Sequence, residues 1–458
     1  MEESEILEKF EPKVNLCPPS PFKNNRGDLL ENPMKMISRL FLSYSSKKLS
    51  QGFELSLKGD RVFKMLGRRI ENGDLPTIFV YIGSEEEILS LDLSNNHITD
   101  QGFEMLCQFL LHSKLLNLNL RNNDIKNLTE KGCQMLGNVT CLRRLTLSGN
   151  HLSQKSADYM QAILKDNKSL EVLELEGVDF YIHSLRRIVD MLLNFNNTLK
   201  VLNISRLLSV PKYKIRSYYL ADLLYTLLVG NNTLVELHLE KNGISDHDVE
   251  TIFEALKSNQ TLTLLNLTAN YVSNVGLEKI AKILPGSNLQ VLLLRRNTIG
   301  NHGAIALSKA MPLSRILHLD IAHNRIEDIG LANLLWTIKK PTPLYTFYIF
   351  GNQITTQTLE IIHMQMLRGK IMPDSLDIVL YWDQDGSIRC SYNPDADEYR
   401  NQMANQYGVE HVAPKENILP YPIIDIFHPS KLLERIINYP KATSPKIYTN
   451  YLDHISVK

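Results

Sequence analysis

Ile88 to Ile98 reads ILSLDLSNNHI, with aliphatic residues at its first, fourth, sixth and eleventh positions and an asparagine at the ninth. The frame returns nine times: LLNLNLRNNDI from Leu115, LRRLTLSGNHL from Leu142, LEVLELEGVDF from Leu170, LKVLNISRLLS from Leu199, LVELHLEKNGI from Leu234, LTLLNLTANYV from Leu262, LQVLLLRRNTI from Leu289, ILHLDIAHNRI from Ile316 and LYTFYIFGNQI from Leu344. Successive starts lie 27, 27, 28, 29, 35, 28, 27, 27 and 28 residues apart. Ten copies at so regular a period decide the architecture before any single residue does.

Between the frames the periodicity changes. In ITDQGFEMLCQFLLHSK, Phe103, Leu106 and Leu110 recur at helical spacing, and Asp100 is placed to cap the helix start. Gly276, Gly303 and Gly330 each sit one place before an apolar helical residue, where the first turn must lie close to its neighbour. Each unit is therefore a short strand followed by a helix, and one unit alone has too small a core to fold. Stacked units bury the frame leucines under one another, which predicts an α/β solenoid bent into a horseshoe, parallel strands on its concave face and helices on its convex face. At the ninth position the chain turns out of the strand, and an asparagine amide can satisfy backbone groups there that would otherwise be orphaned in the interior. Asn96, Asn123, Asn150, Asn242, Asn270, Asn297, Asn324 and Asn352 are read as a structural ladder on that ground.

Two copies break the rule. Val178 and Leu207 occupy the asparagine slot of the fourth and fifth repeats, and the 35-residue interval after Leu199 holds about seven extra residues around LLSVPKYKIRSYYL. An insertion in a solenoid must leave the stack at one edge, and this one carries Lys212, Tyr213, Lys214, Arg216, Tyr218 and Tyr219. It suits a partner contact or an anionic surface, or it is a tolerated insertion whose tyrosines pack back on the stack.

Bulk properties fit an interaction protein. Fifty basic and fifty acidic residues cancel, without the basic excess that advertises nucleic-acid binding. The start, MEESEILEKFEPK, has no basic region followed by a hydrophobic run, and no stretch reaches membrane-spanning length, so an intracellular chain without a membrane partner is expected. Cys17, Cys107, Cys133, Cys141 and Cys390 are odd in number and scattered, the pattern of reduced thiols. Asn-x-Ser/Thr at Asn167, Asn196, Asn231 and Asn259 is read as the helix-end asparagine of the repeat and not as a glycosylation signal.

The chain divides into an irregular segment at 1–50, a repeat region at 51–372 whose first copy, FELSLKGDRV, is a degenerate cap, a β-hairpin at 373–392 and an extended tail at 393–458. The hairpin is read from LDIVLYW, DQDG and SIRCSY; the tail, with one helical run at PSKLLERIIN, is expected to wrap the solenoid or dock elsewhere.

The working surface is expected on the strand face, at the residues between the buried leucines. In chain order these are Arg121, Arg143 and Arg144; Glu171, Glu174 and Glu176; Glu236, His238 and Glu240; Arg295 and Arg296; His318, Asp320 and His323; and Tyr345, Tyr348 and Phe350. Alternating charge ending in exposed aromatics suits docking of a folded protein or long peptide; the alternative is an ordinary solvated face. His318 and Asp320 share a side of one strand, but no matching ligands follow in the next copy, so a metal or acid–base site is disfavoured. Asp383 to Ser387, DQDGS, opens like a calcium loop yet lacks the terminal glutamate and is read as turn chemistry. Phosphate loops, GxGxxG and nucleophile elbows are missing from the sequence. No enzyme activity, cofactor or small-molecule substrate is expected.

The 27–29-residue period, the LxxLxLxxNxI frame and the glycine-led helix resemble the ribonuclease-inhibitor subfamily of leucine-rich repeat proteins. The degenerate cap, NISRLLSVPKYKIRSYYLADLL, HLDIAHNRIED, YIFGNQI and the hairpin after MLRGKIMPD are similar to a narrower family typified by leucine-rich repeat-containing protein 34. That resemblance implies a non-enzymatic protein of germ and stem cells, in nucleolus and cytoplasm, with partners such as nucleophosmin and nucleolin; acidic partners would suit Arg121, Arg143, Arg144, Arg295 and Arg296. A structural subunit of the ciliary axoneme is the alternative. The subfamily also includes GTPase-activating proteins for Ran, whose arginine-bearing loop no repeat here reproduces, which leaves GTPase regulation third.

Overall fold

The computed structural model describes residues 52–59, 69–84, 87–207, 216–338 and 344–397, and the backbone of three short strands at 22–23, 29–30 and 45–48. The chain forms two units that divide at Ile215 and Arg216.

In the first unit, β1 (Phe22–Lys23) pairs antiparallel with β2 (Leu29–Leu30), and β3 (Ser45–Lys48) pairs antiparallel with β4 (Phe53–Ser56). The sheet thus begins a few residues before position 51. From β4 the strands run parallel: β5 (Ile88–Asp92), β6 (Asn117–Asn119), β7 (Arg144–Thr146), β8 (Val172–Glu174) and β9 (Val201–Asn203). Helices follow as α1 (Leu75–Ser84), α2 (Asp100–Leu110), α3 (Glu130–Gly137), α4 (Gln154–Asp166) and α5 (Ile182–Asn194). Frame leucines align in register, Leu91 with Leu118, Leu145, Leu173 and Leu202, all buried.

The second unit opens with α6 (Ser217–Gly230) and repeats the plan: β10 (Glu236–His238), α7 (Asp246–Leu256), β11 (Leu264–Asn266), α8 (Asn274–Ile283), β12 (Val291–Leu293), α9 (Asn301–Ala310), β13 (His318–Asp320), α10 (Asp328–Thr337), β14 (Thr346–Tyr348) and α11 (Thr356–Leu367). Its five strands are parallel, each hydrogen-bonded to the next. β15 (Ile378–Trp382) and β16 (Ile388–Tyr392) form the expected antiparallel hairpin. Its turn is held by Asp385, whose carboxylate accepts from the Ser387 N–H at 2.9 Å. Within both units the fold is the α/β leucine-rich repeat solenoid.

Seven of the eight ladder asparagines share one geometry. Asn123 Nδ2 donates to the carbonyls of Leu93 and Leu120, both at 3.0 Å, while its Oδ1 accepts from the Ile98 N–H at 3.1 Å. Asn96, Asn150, Asn270, Asn297, Asn324 and Asn352 do the same, so each amide ties its own turn to the preceding repeat. Asn242, half-exposed, donates its N–H to Asn270 Oδ1 at 3.0 Å. The helix-end asparagines form another series: Asn167, Asn196, Asn231 and Asn259 are buried, and Asn167, Asn196 and Asn259 donate to carbonyls of the preceding repeat.

Asp100 behaves differently from the expectation. Instead of capping its own helix, it accepts from the N–H groups of Lys126 and Asn127 in the next repeat, at 2.7 and 2.9 Å. Asn72, Asp246, Asn274, Asn301 and Asp328 hold the corresponding place and likewise accept N–H groups one repeat on. The first-turn glycine makes room for this bond, since a Cβ at Gly276 would lie 2.3 Å from Asp246 Oδ1. Of the insertion, residues 208–215 lie outside the described residues, as does PSKLLERIIN; Tyr218 and Tyr219 are not on a loop but in the first turn of α6, half-exposed with ring centroids 4.3 Å apart.

Candidate functional site

On a strand, every second residue points away from the helices, so the central letters of each frame decide what the strand face offers. The two units treat that face differently. At the outward positions of the first, Asn117, Asn119, Arg144, Glu174 and Asn203 are partly exposed while Ser90, Thr146, Val172 and Val201 are buried, whereas every residue of β10 to β14 is buried.

In the first unit the charged residues meet across repeats. Glu176 receives Arg121 Nη2 at 2.8 Å and Arg206 Nη1 at 3.5 Å, which joins the second, fourth and fifth copies. Arg144 Nε lies 3.9 Å from Glu174. The blocks of alternating charge thus neutralise one another in part. Arg143 and Glu171, each immediately before its strand, are half-exposed, and Arg143 makes no ion pair among the described residues. The sequence reading missed Arg206; it lies in the broken fifth frame, beside the absent asparagine, and its φ of 51° places it on the tight turn out of the strand.

Several residues expected to stand open in the second unit do not. Tyr348 is 0% exposed and Tyr345 8% exposed, so they are core side chains and not a surface aromatic patch. Tyr348 packs in one apolar cluster with Leu264, Val291, Leu293 and Ala396, the last from the segment after β16. Phe350 alone of the three is partly exposed, tilted against Tyr392 of the hairpin at 5.0 Å and edge-on to His323 at 5.7 Å. Asp320 is buried and accepts the Ala322 N–H at 3.0 Å. Asp92, Asn119, Asn203 and Asn266, at the same position of other repeats, make the equivalent bond two residues on, which makes Asp320 a turn residue. A recurrent Asp/Asn at the fifth frame position was the available signal.

His318 is buried, and its Nδ1 lies 2.9 Å from Thr346 Oγ1; burial pushes its imidazole down to about 4. Glu236, 0% exposed, lies 3.7 Å from His238 Nε2, and Asn266 Nδ2 donates to Glu240 at 2.6 Å. Arg296 projects into solvent without an ion pair among the described residues, and Arg295 is half-buried.

Among the described residues no group of three or more His, Cys, Asp and Glu side chains is arranged to hold a metal ion, and no helix is long and apolar enough to cross a membrane. Cys107, Cys133, Cys141 and Cys390 are free thiols, and burial raises Cys107 well above the usual range and Cys133 to about 12.

A family model described as Leucine Rich repeat matches residues 88–107, 230–253, 258–281, 287–308 and 316–335. The chain is 28% identical over 271 residues to NACHT, LRR and PYD domains-containing protein 5 of Homo sapiens, covering 57% of this chain and 22% of that protein. It is 24% identical over 268 residues to Ribonuclease inhibitor of Sus scrofa, covering 57% of this chain and 44% of the inhibitor. The chain thus spans less than half the length of these curated relatives. Among solved structures, an internalin from Listeria monocytogenes aligns with a TM-score of 0.36 at 15% identity, over 74% of this chain and 89% of that one. The period, the amide ladder and the matched model agree on leucine-rich repeats, and the chain is similar to ribonuclease inhibitor over part of its length.

Proposed function

We propose that the protein is a non-enzymatic interaction scaffold that docks a folded protein or long peptide on the strand face of its first unit. The observation that carries this reading is the Arg121–Glu176–Arg206 network, drawn from the turns that follow the strands of three repeats, with half-exposed Arg143 just before β7 in the same unit. Pre-arranged charges of this kind select partners by complementarity and speed encounter more than they add affinity. Two arginines to one glutamate in the network, together with half-exposed Arg143, favour an acidic partner. Nucleophosmin and nucleolin suit it, in keeping with nearness to the family typified by leucine-rich repeat-containing protein 34 and with a nucleolar and cytoplasmic place in germ or stem cells. Proximity labelling in native tissue tests this, and axonemal neighbours would favour the ciliary alternative. Accelerated hydrolysis by GTP-loaded Ran would favour the GTPase regulator.

The direct test is Arg143→Glu in capture of purified nucleophosmin and nucleolin. The expected outcome is capture at least about tenfold weaker, equivalent to ~1.4 kcal/mol, steeper loss with salt in the unaltered protein, and an unchanged melting temperature. Undiminished capture by the variant, or none by the unaltered protein, overturns the reading.

A further inference from the structure

Five parallel strands in the second unit hide every residue, including the outward positions that a solenoid normally leaves to solvent. The outward set is partly apolar, with Leu264, Val291, Leu293 and Tyr348, and the described residue seated among them is Ala396. One methyl group cannot cover five strands spaced about 4.8 Å apart, roughly 19 Å of sheet.

Ala396 also stands in the first turn of a helix. Asn393 Oδ1 accepts the Asp395 N–H at 3.2 Å, Pro394 stands in the turn immediately before the first helical residue, and Asp395 and Asp397 place negative charge at the positive end of the dipole. The described chain stops at Asp397, and EYRNQMANQY continues it. At 3.6 residues per turn, Ala396, Tyr399, Arg400, Met403 and Tyr407 fall on one side and Glu398, Asn401, Gln402 and Asn405 on the other. A helix from Asp395 to Tyr407 would be about 20 Å long at 1.5 Å per residue, the span of the five strands. Arg400, on the apolar side, brings a cation toward a face that buries the carboxylates of Glu236 and Asp320.

We propose that the strand face of β10 to β14 is a built-in receptor for the chain's own segment 395–407, which lies across it as an amphipathic helix through Ala396, Tyr399, Met403 and Tyr407. The proposal is independent of the scaffold reading, which concerns the first unit.

Trypsin cleavage at Arg400 tests it in the full-length protein, with a synthetic 393–412 peptide as the unprotected reference. An isolated helix of this length is marginal in water, so protection requires docking. The expected result is cleavage at Arg400 at least about tenfold slower in the protein than in the peptide, independent of protein concentration. Met403→Asp should abolish protection, and Asn405→Asp, on the polar side, should leave it. Equal cleavage in protein and peptide overturns the proposal. Protection that grows with protein concentration overturns it in favour of a second copy, and protection unmoved by Met403→Asp overturns the assigned face. The decisive comparison needs no variant, and Met403 lies outside the repeat frames.

Discussion

At the scale of single residues, the buried asparagines carry the largest local consequence. Asn123→Ala removes an amide that satisfies two carbonyls and one N–H in the interior, and an orphaned buried polar group costs about 1–3 kcal/mol. A lower urea midpoint with an unchanged slope is the expected outcome; a loss below about 0.5 kcal/mol would deny the ladder its role. His318 behaves oppositely to a histidine that gains an acidic partner. An unfolded chain protonates its histidine below about 6.5, whereas folded His318, facing Thr346 and Tyr345, takes a proton only near 4. Between those values the unfolded state binds more protons, so His318 lowers stability as pH falls, by up to about 3 kcal/mol. Urea titrations from pH 7 to 4 should show a shallower acid decline in His318→Gln than in the unaltered protein. The asparagines were legible because an amide recurs in a fixed slot. The burial of Tyr345 and Tyr348 was not, because exposure on a strand face depends on what chain lies over it, and Ala396 is far off in sequence.

At the scale of the element, the repeats are bonded by polar side chains that sit at the start of one helix and serve the next. Gly276→Ala would press a methyl group against Asp246 Oδ1 and Val272 Cγ1, at 2.3 and 3.0 Å, in a spot where the carboxylate also accepts the Ser273 N–H. The expected cost is about 1–3 kcal/mol, read as a lower melting temperature; Gly286→Ala, whose Cβ would meet nothing within 4 Å, serves as the control. Strand, helix and first-turn glycine could all be read from spacing. The direction of the Asp100 bond could not, because its acceptor is a letter in the sequence while its donors, the N–H groups of Lys126 and Asn127, are backbone and leave no letter. Likewise Arg206 escaped notice because it lies where the frame fails.

At the scale of the whole molecule, a stack of parallel strands must stop somewhere, and an unfinished edge invites another chain. Asp377, fully buried, accepts the N–H groups of Ile349 and Phe350 at 2.7 and 3.0 Å, and Leu376 bridges Phe347 where a further strand would begin. Asp377→Ala should leave two donors unmet and open that edge. Light scattering is expected to show concentration-dependent association; a strictly monomeric variant with an unaltered melting curve would remove Asp377 from this role. The helices and strands up to this end follow from the repeat, whereas the terminator follows from a residue used once.

The cross-repeat bonds described for Asn123, Asp100 and Asn274 join equivalent positions of adjoining copies. Each such side chain therefore asks only that some similar copy adjoin it, before Asn123 and after Asp100 and Asn274, and is indifferent to which. Excising or duplicating one complete period leaves each severed link a ready substitute, while removal of half a period strands acceptors on both sides. The molecule is thereby editable in modules, like a zip shortened by whole teeth.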